Sequence, residues 1–126
     1  MTLAPAAADG AAPATGARAL AHPDRGDIRI EDVLHALSDP TRLLVVRELA
    51  LAEGELSCSC FGLTVSKSTT THHFRVLRES GVIRQTYRGT AKMNGLRRHD
   101  LDALFPGLLD SVLDAVGRQA GRIDRG

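Results

Sequence analysis

The chain has 126 residues, 43% of them hydrophobic, and a formal net charge of +1, which allows one domain with one core and is too short for two ordinary domains. Aromatics reach only 3%, with no Trp and one Tyr, so the core must be mostly Leu, Val, Ile and Ala, and helices are favoured over a β-sandwich. No apolar run approaches the roughly 20 residues of a membrane span, the N-terminus lacks the charged start and apolar stretch of a secretory signal, and Cys58 and Cys60 make no disulfide framework, so a cytoplasmic location is expected.

Residues 1–25 are rich in Ala, Pro and Gly, without periodicity, and read as a disordered tail. The ordered domain is expected over 26–118, with a flexible C-terminal tail over 119–126. Ile30, Val33, Leu34 and Leu37 form a helical stripe that Ser38-Asp39-Pro40 ends. Asp39 is a good N-cap for the next helix and Pro40 a good first residue, because its missing amide hydrogen would be unpaired there anyway. That helix runs from Thr41 to about Ala52 with Leu43, Leu44, Val46 and Leu49 as its apolar positions, and Glu53-Gly54 closes it.

After a short segment, Leu56 to Leu63, comes a basic helix rich in hydroxyl, imidazole and guanidinium groups, VSKSTTTHHFRVLRESGVI (Val65 to Ile83). Ser66 or Ser68 can cap it, and Gly81 can end it in the left-handed conformation. At about 100° per residue, Thr70, His73, Phe74 and Leu77 share one face, and Ser68, Thr69, His72, Arg75 and Glu79 the other. Val76 lies off the apolar stripe, and the pattern assigns it no role. Val82 to Arg88 and Ala91 to Leu96 read as two strands around Gly89-Thr90, with Gly in the first loop position of a type II′ turn. From Asp100 onward, Leu101, Leu104, Phe105, Leu108, Val112, Leu113 and Val116 form a wide apolar stripe interrupted by Pro106-Gly107, so a short helix should precede a longer one.

The fold class is therefore mainly α with a small β-hairpin, a winged helix-turn-helix. A small core has limited capacity to cover the C-terminal stripe, and a second copy is the economical partner. Ile30, Val33, Leu34, Leu101, Leu104, Phe105, Leu108, Val112, Leu113 and Val116 are the expected homodimer interface. Helical folding back onto the same domain is the alternative.

Charge is segregated along the chain. From Thr64 to Arg98 eight Lys or Arg face Glu79 alone, a balance of +7, while the remainder sums to −6. Such segregation points to a polyanion. Ser68, Thr69, Thr71, His72 and Arg75 are expected to meet the major groove of double-stranded DNA or its rims, and Ser66, Lys67, Arg84, Tyr87, Arg88 and Lys92 to lie along phosphates. A winged-helix module that docks an acidic protein is the rival reading. It suits the charge, but the small, fork-shaped hydrogen bonders on the outer face suit bases better than a protein surface. No Gly-rich phosphate loop, nucleophile elbow or carboxylate pair supports an enzyme.

These residues resemble the ArsR family of bacterial repressors, metal-responsive winged-helix dimers, over about residues 28 to 116. LSDPTRLLVVREL (Leu37 to Leu49), SKSTTTHHFRVLRESGVI (Ser66 to Ile83) and the hairpin around Arg88-Gly89 carry the likeness. The SCSCFGL segment is similar to actinobacterial relatives. The resemblance implies a homodimeric transcriptional regulator, usually a repressor, with N- and C-terminal helices at the dimer interface, and a two-fold dimer asks for an inverted-repeat operator.

Cys58-x-Cys60 follows Glu55-Leu56 much as in arsenic-sensing members, but one residue is inserted and the spacing to Ser66 is short. Positions two apart on a helix diverge by about 200°, and no third ligand is evident. A metal or metalloid site, a thiol redox switch and incidental cysteines remain open, and no cofactor is assigned. His72 reads as a groove-facing group and His73 as a hydrogen-bonded structural imidazole. His99-Asp100-x-Asp102 reads as a helix start with acids in its first turn.

Overall fold

The computed structural model describes residues Ala17–Arg125; the disorder expected of residues 1–16 lies outside them. In chain order the elements are β1 (Ala17–Ala19), a 3-10 turn (Arg25–Asp27), α1 (Ile30–Ala36), α2 (Pro40–Ala52), β2 (Leu56–Ser57), a second 3-10 turn (Cys58–Phe61), α3 (Lys67–Glu79), β3 (Ile83–Arg88), β4 (Ala91–Leu96), α4 (Arg98–Leu104) and α5 (Leu108–Arg125). The boundaries follow local chemistry. Asp39 caps α2 by accepting the Arg42 amide at 3.0 Å, with Pro40 as its first residue. The left-handed position that ends α2 falls on Glu53 (φ 55°) and not on Gly54.

Gly81 follows α3 with φ +89°, and a Cβ there would meet Ile28 side-chain carbons at 2.5 and 2.6 Å. Both the backbone sign and the close approach require glycine. In the wing turn Gly89 has φ +64°, whereas Thr90 is not among the positive-φ residues, the pattern of a type II′ turn.

The sheet is antiparallel with strand order β1-β3-β4-β2. Its outer member β1 is a correction, since these residues were expected in a disordered tail. The segment docks through polar anchors, not apolar burial, which is why its composition reads as tail. Ala17–Ala19 pair with Thr86–Arg88, the Gln85 amide donates to His22 Nε2 at 2.8 Å, Arg97 donates to the Pro23 carbonyl at 2.9 Å, and Arg25 pairs with Asp100 at 2.8 Å. At the other end α5 runs to Arg125 and not to 118. Its stripe continues past Val116 to Ala120, and both residues line a groove with Leu37 and Leu43.

The core joins Val33, Ala36, Val45, Val46, Leu49, Phe61, Phe74, Leu77, Val82, Ile83, Leu101 and Leu109. On α2 the inner stripe is Arg42, Val45, Val46 and Leu49, spaced i, i+3, i+4, i+7, while Leu44 is 41% exposed. Two residues expected at the dimer interface are core residues: Val33 is 1% and Leu101 3% exposed. The apolar stripe of α1 is wider than the face the core covers. Val33 and Ala36 take its inner edge, leaving Ile30 39% and Leu34 49% exposed on the outer one. Leu104, Phe105, Leu108, Val112 and Leu113 are half-buried against the core. Leu109, absent from the expected stripe, is the buried anchor of α5 at 2%. No helix among the described residues is long and apolar enough to cross a membrane.

Candidate nucleic-acid interface

α3 starts sharply because the Ser66 hydroxyl accepts the Thr69 amide at 3.2 Å and donates to Thr69 Oγ1 at 2.9 Å. Its inner face is anchored in two ways. Phe74 and Leu77 are buried, and the Phe74 ring packs at 56° on Phe61 with centroids 5.4 Å apart. His73, also buried, faces Arg42 across the helix-turn-helix, with Arg42 Nη1 3.1 Å from Nδ1.

A guanidinium has no acceptor, so His73 Nδ1 must accept and the ring carries its proton on Nε2. Arg42 further donates through Nε to the Ala36 carbonyl at 2.7 Å and through Nη2 to the His35 carbonyl at 3.2 Å. Asp39 closes the cluster, its Oδ2 3.8 Å from His73 Nδ1. Burial raises the Asp39 pKa, but the Arg42 amide, the Arg42 charge and the Thr41 amide outweigh it and hold the carboxyl below the usual range. This cluster locks the angle between α2 and α3. Val76 is half-buried and lines a cleft with Asp32 and His35 of α1, the role its helical position alone does not reveal.

The outer face presents Ser68, Thr69, Thr71, His72 and Arg75, all exposed. Thr71 Oγ1 donates back to the Lys67 carbonyl at 3.0 Å, leaving its lone pairs as acceptors. Arg75 is engaged by no side chain among the described residues.

Most of the +7 window is spent on structure. Arg78 Nη1 donates to Gln85 Oε1 at 2.6 Å, Gln85 Nε2 to Asn94 Oδ1 at 2.8 Å and Asn94 Nδ2 to the Leu56 carbonyl at 3.1 Å. This buried polar row ties α3 through the sheet to β2. Arg97, with a 5% exposed side chain, pairs with Asp100 at 2.9 Å, and Arg98 pairs with Asp110 at 2.8 Å. Arg84 Nη2 lies 3.9 Å from Asp100. Arg88 is held by Glu55 in a bidentate pair at 2.7 and 3.0 Å, which lowers the Glu55 pKa, the arginine hydrogen bond being the main cause. Among the described residues Lys67, Arg75, Arg78 and Lys92 have no carboxylate partner, Arg78 being held by Gln85 instead.

The sequence reading missed Arg42, the Arg78-Gln85-Asn94 row and His22. Arg42 was legible in principle, since it occupies the first position of an i, i+3, i+4, i+7 series. The other two depend on strand register and on the docking of the N-terminal segment.

A fold of capped reading helix and basic hairpin is matched by comparison with known proteins. Residues 39–85 match the model of a bacterial regulatory protein family, arsR. An uncharacterized HTH-type transcriptional regulator, YceK of Bacillus subtilis (strain 168), is 33% identical over 82 residues, covering 64% of this chain and 82% of that protein. The chain belongs to the ArsR family. It is a helix-turn-helix transcriptional regulator that binds DNA. Among solved structures, an ArsR family transcriptional regulator, RHA00566, aligns over 77% of this chain and 97% of its own with a TM-score of 0.51 at 19% identity. The transcriptional repressor BigR from Xylella fastidiosa aligns over 60% of this chain and 85% of its own at 26% identity, with a TM-score of 0.48.

Cys58 and Cys60, the candidate metal or metalloid ligands, lie in the second 3-10 turn. Cys58 is half-buried, its Sγ 3.2 Å from Asn94 Nδ2, and Cys60 is exposed with Sγ 3.3 Å from Ser57 Oγ. Among the described residues no group of three His, Cys, Asp or Glu side chains could hold a metal ion.

Proposed function

We propose that this ArsR-family regulator is a cytoplasmic, non-enzymatic repressor that binds an inverted-repeat operator as a symmetric homodimer and occludes a promoter. The observation that carries the DNA reading is the exposed row Ser68, Thr69, Thr71, His72 and Arg75 on a helix whose opposite face is locked by Phe74, Leu77 and the Arg42-His73 contact. Those five side chains meet base edges or groove rims. Ser66, Lys67, Tyr87 and Lys92 position the protein on phosphates, and Arg84 supplies positive charge from within its ion pair.

The dimer reading rests on exposed Ile30 and Leu34 beside a groove lined by Leu34, Leu37, Leu43, Val112 and Val116. A two-fold axis through that region sets the two reading helices about one DNA turn apart, roughly 34 Å. Arg75→Ala is expected to weaken specific binding by about 1 to 3 kcal/mol and relax preference at one base pair.

Titration of the promoter fragment of the chain's own gene against an unrelated fragment, at two salt concentrations, tests the reading. A preferential shift at nanomolar to micromolar protein supports it. Equal binding to both fragments overturns sequence-specific repression, and a monomer mass by light scattering at micromolar concentration overturns the dimer.

A further inference from the structure

Strand register sorts the wing's cations by face. Directly opposed residues of neighbouring strands lie on the same face, and successive residues alternate. Arg18 of β1 stands opposite Tyr87 of β3, and Tyr87 opposite Lys92 of β4, so the three form one row across the hairpin tip. The Arg18 guanidinium carbon lies 5.1 Å from the Tyr87 ring centroid and the Lys92 Nζ 5.7 Å, one cation reaching the ring from the strand on each side of β3. The next row on this face is Gln85 and Asn94, and Gln85 receives Arg78 from α3. The Arg18-Tyr87-Lys92 row therefore continues the face of the sheet that looks toward the reading helix. Arg88 alternates to the opposite face, where Glu55 holds its Nε and Nη2.

We infer that Arg18 and Lys92, clasping Tyr87, are the wing's DNA-phosphate contacts, that β1 is thereby part of the DNA-binding surface, and that Arg88 is a structural tie. The inference rests on the DNA reading above. Among the described residues neither Arg18 nor Lys92 pairs with a carboxylate, so each can meet a phosphate without first breaking an ion pair. Arg88 would have to leave a bidentate partner to do so. The ring between the two cations fixes their spacing and limits the side-chain freedom lost on binding.

The test is fluorescence anisotropy of the full chain on a labelled 30-base-pair mixed-sequence duplex, with salt varied from 50 to 200 mM. Each lost phosphate contact should lower the slope of log affinity against log salt by about 0.9, a factor of about three over that range. Arg18→Ala and Lys92→Ala are each expected to show this loss, Arg18→Lys to restore it, and Arg88→Ala to keep the wild-type slope. Should Arg18→Ala undock β1, Lys92→Ala still reads the row, because β4 is held by strands on both sides. A wild-type slope in Lys92→Ala or in a folded Arg18→Ala overturns the assignment, as does a loss in Arg88→Ala. A wild-type chain that shows no salt-dependent binding overturns the DNA reading as well.

Discussion

Arg42 holds three acceptors at once, two of them carbonyls at the end of α1 and the third the ring of a residue on the reading helix. Truncating it leaves the Ala36 carbonyl and His73 Nδ1 without this donor, whereas the His35 carbonyl keeps the Ser38 hydroxyl and amide. Arg42→Ala is expected to cost about 3 kcal/mol in chemical denaturation and to weaken DNA binding although the residue touches no DNA. His22 makes the opposite kind of contact, accepting the Gln85 amide, which requires a neutral ring. Its pKa falls from 6.5 to about 4, mainly through burial and then through Arg84, with a Leu20 backbone hydrogen bond opposing and Arg97 and Arg78 adding to the fall. The folded value lies below the unfolded one, so docking is fully stabilised above pH 6.5 and weakens as pH drops toward 4. Protection of the Gln85 and Leu20 amides against hydrogen exchange should decline over that window while that of Leu49 and Leu77 holds. His22→Gln, which can accept without titrating, should flatten the response.

At the level of elements, the helices and the hairpin were legible in residues such as Asp39-Pro40, Ser66, Gly81 and Gly89 because each acts on its own backbone. Which edge of an apolar stripe meets the core was not, since α1 carries four such residues and the neighbouring helices decide that Val33 turns in and Leu34 out. The inner face of α2 was misjudged for the same reason. A charged Arg42 occupies a position that periodicity reserves for apolar side chains, and its partners come from two other helices. Leu34→Glu tests the outward edge of α1. It should leave the melting of the isolated fold within about 0.5 kcal/mol of wild type while shifting light-scattering mass toward the monomer. An unchanged dimer mass would remove α1 from the interface.

For the whole molecule, the +7 segment is largely a fastening system. Asp100, with a 15% exposed side chain, gathers Arg25, Arg97 and Arg84 from the N-terminal segment, the β4-α4 junction and β3. Burial raises its pKa, but the hydrogen bonds from Arg25 and Arg97 prevail and hold it below 3.8. Its contribution is therefore present above that value and disappears as pH falls below it. Asp100→Asn should cost about 2 to 4 kcal/mol at neutral pH, because Arg97 stays buried without its counterion, and should remove part of the acid sensitivity of unfolding. Charge segregation singles out α3 and the hairpin, yet the sum hides which cations are free. Ion pairs such as Arg88 with Glu55 join residues that the sequence separates by 33 positions.

The chain contains no tryptophan and a single tyrosine, and that tyrosine sits in the clasp at the wing tip. Its near-ultraviolet signal, and the one ¹⁹F resonance expected after fluorotyrosine incorporation, come from this spot alone. The protein thus carries a native spectroscopic reporter, able to follow the wing through titration with nucleic acid, acid or denaturant without an added label.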